Sequence, residues 1–410
     1  MDSEQEKALQ LATEAGHILL ENGAEISRVE ETMEHIASAY GVRDESFFVL
    51  SNGIITTGQH YARADFIPIR GTQLSRVVEV NQLSRDVTGG KMPLSQLEAR
   101  LNAIRREKGK PWWETILGIA FGVAAFCLLF GGSLTDAAAT FACGILLGTF
   151  MTFAGKHMSR LFSNLTGGLV GGLLCILSMA CGFGEHLPNM IIGTIIALVP
   201  GVPFTNGMRD LANEDYIAGA TRLMDAFLTF LCIALGVVLA FVLERLVSGS
   251  LILLDRPVTD ELASAWYIQL PAAFIGTLGF SILFGAPRKY YFECGLTGTL
   301  GWAVYLWVLT AGLQHVVGAA FLAALTVAAI SSILAIARKC PATVFLICGI
   351  IPLVPGGGIF WTAYYLVSDK LHLAADSGFT AIKVTIAIAG GIILAGAIAV
   401  KVMARIHRKR

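Results

Sequence analysis

Two apolar stretches of the sequence carry the same proline-glycine interruption. Residues 198–201 and residues 353–356 both have the sequence Leu-Val-Pro-Gly. Proline removes a backbone donor and clashes with the preceding turn, so each helix is expected to break there. A broken helix exposes N–H groups that attract a carboxylate and carbonyl groups that attract a cation. The breaks therefore predict a site for a small solute that carries both groups, such as an amino acid. Two ordinary packing kinks are the alternative.

The candidate binding residues lie at the two breaks and within the two turns that follow them. Irregular backbone persists inside a membrane only where it is buried in protein or faces a wet cavity. Because the two breaks match, we favour a solute site over a packing kink. The candidates are Pro200, Gly201, Pro203, Asn206, Pro355, Gly356, Gly357 and Trp361.

Charged residues close to the apolar stretches are candidates for ion coupling. Arg222 and Asp225 are three residues apart, so they fall on one face of the helix that follows the first break. A desolvated carboxylate beside its arginine could couple a proton or hold an ammonium group. An ion pair that only fixes the helix at the interface is equally consistent. Glu293 and Lys383 are weaker candidates, because such side chains can extend to the lipid headgroups.

The composition indicates a membrane protein. Hydrophobic residues make up 55% of the 410 residues and charged residues only 15%, whereas soluble domains carry about 25% charged residues. Almost half of the charged residues precede Trp113. The remainder is a series of apolar runs long enough to cross about 30 Å of hydrocarbon. They predict ten transmembrane helices near residues 114–132, 135–154, 165–183, 187–208, 218–243, 266–285, 293–312, 315–337, 342–367 and 379–403.

The distribution of basic residues predicts the orientation of these helices. Lys and Arg accumulate in the loops on the side of both chain ends, which is typical of the cytoplasmic side. The opposite loops are poorer in basic residues and contain Asp136 and Glu185. We expect a multi-pass protein of the plasma (inner) membrane with both termini cytoplasmic and with Arg209 and Asp210 at the cytoplasmic mouth. The acidic start of the sequence is not typical of a signal peptide.

An internal repeat divides the apolar region into two halves. Leu-Phe-Gly at residues 129–131 recurs at residues 283–285, and the Leu-Val-Pro-Gly motif recurs at nearly the same offset. Because a unit of five helices is odd, its second copy must enter the membrane from the opposite side. The expected fold is therefore two inverted five-helix repeats, at 111–247 and 262–405, as in secondary transporters. A duplication without transport is the alternative.

The first 110 residues predict a small cytoplasmic α+β domain. Asn52-Gly53 between two apolar runs is a strong hairpin signal. A gate, a regulatory domain or an assembly domain are the expected roles. The predicted elements are helices at 5–21, 25–40, 72–87 and 94–107, a hairpin of strands 47–50 and 54–57, and a third strand at 66–69.

The sequence carries no catalytic signature. It contains no HExxH, GxSxG, Walker or GxGxxG motif, and its eight cysteines form no CxxC pair. We therefore expect no enzymatic activity, no cofactor, no metal site and no nucleic-acid partner, and ATP-driven transport is disfavoured. A membrane-anchored hydrolase or sensor, active in residues 1–110, remains the alternative from another class.

The N-terminal region resembles a known family. The segment 11–33, which contains Gly-Ala-Glu-Ile-Ser-Arg-Val-Glu, and the Gly53-Ile54-Ile55 hairpin are similar to the threonine/serine exporter family. The motifs at 198–201 and 352–356 resemble its two membrane halves, so the likeness covers essentially the whole chain. It implies ten spans and export of small amino acids driven by the proton motive force. Relatives with the two portions on separate chains are associated with dicarboxylate export.

The combined expectation is a secondary active exporter. We expect it to move a small zwitterionic or anionic solute by alternating access around predicted helices 4 and 9, in exchange for protons. The lipid bilayer is its other partner. The choice between threonine, serine and a dicarboxylate such as succinate stays open, as does assembly into a homo-oligomer.

Overall fold

The computed structural model describes residues 3–42, 46–58, 61–67, 71–90, 92–249, 264–312 and 315–407. Its N-terminal segment, residues 3–106, consists of four helices and one three-stranded sheet. These elements are α1 (Ser3–Glu21), α2 (Ile26–Ala39), β1 (Ser46–Leu50), β2 (Gly53–Gly58), β3 (Tyr61–Phe66), α3 (Leu74–Gly89) and α4 (Leu94–Arg106).

The sheet is antiparallel in the order β1-β2-β3, and the predicted hairpin at Asn52-Gly53 is confirmed. Its inner face packs on the helices, where the hydroxyl groups of Thr13 and Thr56 lie 3.1 Å apart. Alternation of buried and exposed residues along β2 matches a strand with one face on a core.

The predicted third strand at 66–69 is wrong. β3 pairs with β2 from Tyr61 onwards, and residues 68 and 69 lie outside the described residues. The error has a physical cause: β3 is an edge strand whose Arg63 and Asp65 form an ion pair, so it lacks the apolar run that marks a buried strand. The N–H of Ile67 then donates to the carbonyl of Asn52 at 2.8 Å and ends the ladder.

Twelve further helices follow in the described part of the chain, and every predicted apolar segment coincides with one helix or with one bent pair. They are α5 (Trp112–Leu129), α6 (Leu134–Phe153), α7 (Arg160–Ala180), α8 (Leu187–Ile195), α9 (Gly201–Ala212), α10 (Tyr216–Ser248), α11 (Trp266–Leu283), α12 (Tyr291–Thr310), α13 (Val316–Arg338), α14 (Thr343–Ile350), α15 (Gly356–Val367) and α16 (Leu371–His407).

Length and composition make this a multi-pass helical membrane protein. Among the described residues, seven helices are long and apolar enough to cross a membrane. The pairs α8–α9, bent by 63°, and α14–α15, bent by 43°, raise the number to nine if each pair is one span. α12, at the predicted span 293–312, is not among the nine.

The N-terminal segment lies at one end of the helix bundle, which we call the near end. There the N–H groups of Leu74 and Ser75 donate to the carbonyls of Phe284 and Gly285, at 3.0 and 2.9 Å. α5 starts at the near end, and the opposite end, where Gly131 and Gly312 lie, is the far end. Direct backbone hydrogen bonds thus fix the N-terminal segment to the bundle.

Local geometry recurs along the bundle at an offset of about 155 residues. α5 and α11 each have 18 residues, and each ends in a glycine of positive φ, Gly131 at 89° and Gly285 at 64°. Such a glycine closes a helix because it adopts the left-handed conformation without strain. Two non-glycine residues of positive φ, Glu214 at 69° and Asp369 at 55°, occupy matching places before α10 and α16.

α5 and α11 are antiparallel and pack through a reciprocal contact. A Cβ built on Gly122 would lie 3.2 Å from the Phe280 ring, and one on Gly276 would lie 2.9 Å from the Phe126 ring. The two phenylalanine rings meet edge to face, with centroids 5.2 Å apart. Each helix thus supplies one glycine and one ring to the same joint.

α7 and α10 approach so closely that their backbones touch. A Cβ on Gly236 would lie 2.1 Å from the carbonyl oxygen of Leu165, and one on Gly168 would lie 2.5 Å from that of Ile233. Small residues permit such close packing in membranes, where no hydrophobic force drives helices together. This joint has no room for a methyl group.

We expect Gly236→Ala to lower the free energy of unfolding by about 1–3 kcal/mol, since the added methyl meets backbone rather than a movable side chain. Thermal unfolding in detergent measures the effect. Gly396→Ala is the matched control, because nothing lies within 4 Å of its built Cβ and alanine is the better helix former. Equal melting temperatures for Gly236→Ala and the unmodified protein would contradict the packing argument.

Candidate functional site

Both bent helix pairs break in the same conformation. A short 3₁₀ turn precedes each break, Ile196–Leu198 in one and Ile351–Leu353 in the other. The φ and ψ angles are −78° and 59° at Pro200, and −76° and 53° at Pro355. The N–H of the following glycine donates to the carbonyl two residues back, at 2.8 and 2.7 Å. This is an inverse γ-turn, after which α9 and α15 begin inside the bundle.

The first break lines a cavity of about 610 Å³, which we call the near cavity. It lies between the break, the α6–α7 connection and the N-terminal segment, which contributes Leu20, Gly23 and Thr72. Five of the predicted site residues line it, namely Pro200, Gly201, Pro203, Asn206 and Arg222. The structure thus brings the first set of candidates together around one space.

Two buried side chains that line the near cavity each have a polar atom available for a further hydrogen bond. Asn206 and Thr229 are each 1% exposed, and Asn206 donates from Nδ2 to the carbonyl of Gly23 at 2.7 Å. Within the described part of the chain, Oδ1 of Asn206 and Oγ1 of Thr229 have no hydrogen-bond partner. Because a buried polar atom without a partner is costly, these two atoms suit a bound solute or water.

The second break lines a separate cavity of about 380 Å³, which we call the far cavity. Pro355 and Gly357 of the predicted site line it, together with the end of α5 and the start of α13. Trp302 lines it too and donates from Nε1 to Oε1 of Gln269 at 2.8 Å. The far cavity therefore lies toward the opposite end of the bundle from the near cavity.

The two breaks touch each other through two matching contacts. A Cβ on Gly201 would lie 2.3 Å from Cδ1 of Ile351, and one on Gly356 would lie 3.1 Å from Cδ1 of Ile196. In each contact the first residue of one 3₁₀ turn fills the space beside the glycine of the other break. The two breaks are thereby in direct contact, and Gly201 of this contact also lines the near cavity.

We expect Gly201→Ala to lower the flux of a solute through such a site, because its methyl would lie 2.3 Å from Cδ1 of Ile351, a 1% exposed side chain whose shift would disturb the packing between the breaks. Ile351→Ala removes the colliding atom, so the double variant Gly201→Ala/Ile351→Ala should recover most of the lost rate. Initial rates in proteoliposomes, normalised to inserted protein, provide the measurement. A double variant as slow as Gly201→Ala would contradict this coupling between the breaks.

The remaining binding candidates lie beside the cavities. Gly356 packs on Ile196, as described above, and does not line the far cavity. Trp361 is 8% exposed and stacks among aromatic side chains, with ring centroids 5.3 Å from Tyr365 and 5.8 Å from Tyr364. It lies two turns beyond the second break and lines neither cavity.

The predicted pairing of Arg222 with Asp225 is wrong. Arg222 donates to Asp210 at 2.7 Å, whereas Asp225 pairs with Arg160 at the start of α7. Residues three apart on a helix share a face, but α9 places the Asp210 carboxylate within hydrogen-bond distance of Arg222 in a buried contact. Asp210 is fully buried and Arg222 is 4% exposed. The sequence placed Asp210 at the mouth without assigning its partner.

The other two charge candidates lie outside both cavities. Glu293, near the start of α12, pairs with Arg338 at 2.5 Å at the near end. Lys383 is exposed on α16. Neither lines the near or the far cavity, so any role in coupling would act through the helices that carry them.

Two carboxyl groups flank the buried pair of Asp210 and Arg222 at the near end. Burial raises the pKa of Glu30, although the N–H of Val49 donates to it at 3.2 Å. Burial also raises the pKa of Asp215, in the connection between α9 and α10, and the charge of Arg222 opposes that shift. The near end therefore concentrates acidic groups around one guanidinium group.

A group of potential metal ligands lies at the far end. Asp136, Glu185 and His186 place ligand atoms within 4.8 Å of one another. Asp136, however, already accepts from the backbone N–H groups of Ser133, Glu185 and His186, and contacts Nδ1 of His186 at 2.7 Å. Because both Asp136 oxygens already accept hydrogen bonds, we interpret the group as a set of hydrogen bonds that joins two loops rather than as a metal site.

A multi-pass helical bundle with two matching breaks, each lining its own cavity, is characteristic of membrane transport proteins. Comparison of the sequence with models of known protein families agrees with this class. A family model described as a putative threonine/serine exporter matches residues 10–244, and a second, described as threonine/serine exporter ThrE, matches residues 269–398. The chain belongs to the threonine/serine exporter family.

Curated relatives carry two kinds of name. A probable threonine/serine exporter of Mycobacterium tuberculosis is 24% identical over 95% of this chain and 75% of its own length. A threonine/serine exporter of Corynebacterium glutamicum is 25% identical over 94% of this chain and 81% of its own. A probable succinate transporter subunit, YjjP, of Escherichia coli is 26% identical over 58% of this chain and 96% of its own. No solved structure matches the chain significantly.

Proposed function

We propose that the protein is a secondary active exporter of small amino acids of the threonine and serine type. It would work by alternating access around the breaks of α8–α9 and α14–α15. The observation that carries this proposal is the pairing of two identical breaks that touch each other while lining cavities toward opposite ends. Such a pair provides two related states, each open to one side.

The same proposal includes the inverted five-helix repeats at 111–247 and 262–405, with α12 as a tenth span. Support comes from the recurring φ angles, the antiparallel joint of α5 and α11, and the reciprocal contacts between the breaks. Each reciprocal contact has the form expected of two units related by a two-fold axis parallel to the membrane. The N-terminal region, 1–110, would be a cytoplasmic domain, with both termini cytoplasmic in the inner membrane.

The proposed solute site combines a helix N-terminus with side-chain acceptors. Pro200 and Gly201 start α9 inside the near cavity, and the positive end of a helix dipole attracts a carboxylate. Oδ1 of Asn206 is free to accept from an ammonium or hydroxyl group, and Thr229 offers a second hydroxyl contact. Pro203 shapes the same wall. In the opposite state, Pro355, Gly356, Gly357 and Trp361 would take the equivalent part.

A second candidate function is export of a dicarboxylate. Three cationic side chains line the near cavity, those of Lys156, Arg160 and Arg222, and the described lining residues include no carboxylate. Asp225 and Asp210, outside the lining, pair with Arg160 and Arg222, so the excess positive charge of the wall is that of Lys156. An excess of positive charge favours an anion over a zwitterion. Relatives named as probable succinate transporter subunits match 58% of this chain.

Counterflow distinguishes the two solutes. Proteoliposomes preloaded with unlabelled threonine should accumulate labelled threonine, and external serine should compete with the label whereas succinate should not. The reason is that one carboxylate suits the α9 N-terminus while the free acceptors suit an ammonium group. Accumulation driven by succinate alone would favour the second candidate, and absence of counterflow with all three solutes would refute both.

Proton coupling is proposed to involve Asp225 or Glu293, the two ion-paired carboxylates near the starts of α10 and α12. We expect Asp225→Asn or Glu293→Gln to make threonine efflux insensitive to an imposed pH gradient, because an amide cannot carry the proton. Counterflow, which needs no gradient, should persist. Asp376→Asn, an exposed carboxylate on α16, is the control. An unchanged pH response in both test variants would remove the assignment.

A further inference from the structure

Residues 22–27, which are the connection between α1 and α2 and the first two residues of α2, form part of the rim of the near cavity. Gly23 lines the cavity and has a φ of 86°, which lets the chain reverse tightly at this point. A Cβ on Gly23 would lie 3.1 Å from Cγ1 of Val202, in the first turn of α9. We call residues 22–27 the rim turn.

Five successive residues of the rim turn each contact α9, the residue that follows it or Arg222 of α10. Two of the contacts use backbone carbonyls, one uses a backbone N–H and two use side chains. The carbonyls of Gly23 and Ala24 accept from Asn206 at 2.7 Å and Arg222 at 2.9 Å, Glu25 pairs with Arg209 at 2.7 Å, the N–H of Ile26 donates to Asp210 at 3.1 Å, and Oγ of Ser27 accepts from Asn213 at 3.0 Å.

The buried pair of Asp210 and Arg222 holds the rim turn at two points. Asp210 accepts from Arg222 through one oxygen and from Ile26, the first residue of α2, through the other. The positive end of the α2 dipole favours the Asp210 carboxylate. Arg222 in turn donates to the carbonyl of Ala24. If the rim turn leaves, both buried charges lose a partner, so its departure must be coupled to a change in α9 and α10.

Among the described residues, the opposite half of the bundle shows no comparable set. Positions 155 residues beyond Asn206, Asp210 and Arg222 are occupied by Trp361, Tyr365 and Ser377. The rings of Trp361 and Tyr365 pack there with centroids 5.3 Å apart, and α15 packs against α16. Within the described part of the chain, the polar attachment is therefore found at the near end.

We propose that the rim turn is the gate of the near cavity and that the Asp210–Arg222 pair is its latch. With the five contacts made, Asn206 is held by Gly23 and the α9 N-terminus is covered. Withdrawal of the turn frees Asn206 and opens the cavity to the near side. This inference rests on the proposed function, since a gate requires a solute that passes.

A reversible lock tests the gate. The side chains of Ser27 and Asn213 are hydrogen-bonded at the protein surface, so cysteines at both positions come within reach of a disulfide. In the full-length Ser27→Cys/Asn213→Cys variant, we expect oxidation to abolish threonine counterflow and dithiothreitol to restore it. If the disulfide forms incompletely, a short bis-maleimide on the same two cysteines should produce the same loss.

The matched control is a cross-link that leaves the rim turn free. Glu14 and Arg105 form an ion pair between α1 and α4, so Glu14→Cys/Arg105→Cys ties the N-terminal segment internally. Oxidation of this control and of the unmodified protein, with its eight native cysteines, should leave counterflow unchanged. A cross-linked Ser27–Asn213 variant that transports as fast as its reduced form overturns the gate, whereas no counterflow in the unmodified protein overturns the proposed function.

Discussion

Backbone polar groups in a membrane need partners inside the protein, and this requirement governs the centre of the bundle. A proline in a helix leaves carbonyls unpaired in the turn before it. At Pro200 and at Pro355 the chain responds with the same inverse γ-turn, in which the next N–H returns to the carbonyl two residues back. The new helix then begins deep in the protein, beside a cavity. Both cavities exist because of this local solution.

A buried charge imposes a second requirement at the near end. Arg222, in the second turn of α10, is 4% exposed. A buried guanidinium group is tolerated only when it is fully hydrogen-bonded. Asp210 supplies one partner and the carbonyl of Ala24 another. The N-terminal segment is therefore part of the electrostatic balance of the first membrane half rather than an appendage. Each residue of the Gly-Ala-Glu string, at the boundary between the two predicted N-terminal helices, accordingly contacts α9 or α10.

The sequence predicts what the bilayer and proline dictate. Apolar length located a helix or a bent helix pair at every predicted segment, and the prolines located both breaks. Helix ends were less accurate where helices continue into polar residues: α16 begins at Leu371 rather than 379, and α7 at Arg160 rather than 165. Hydropathy reports which residues suit lipid, not where backbone hydrogen bonding starts. The pairing of Arg222 could not be foreseen, because it depends on how α9 and α10 meet. Thr229 carried no signal at all, since its importance lies in a missing partner.

The reciprocal packing of Ile196 and Ile351 has a consequence for ion tightness. Each isoleucine fills the space beside the glycine of the other break, so the proposed movement of one break would push on the other. In that mechanism the two breaks would move together. A continuous aqueous path through the protein would require both isoleucine side chains to withdraw at the same time. Because interiors packed at this density deform in discrete steps, the same pair of side chains that links the breaks would also keep the membrane electrically sealed while solute passes.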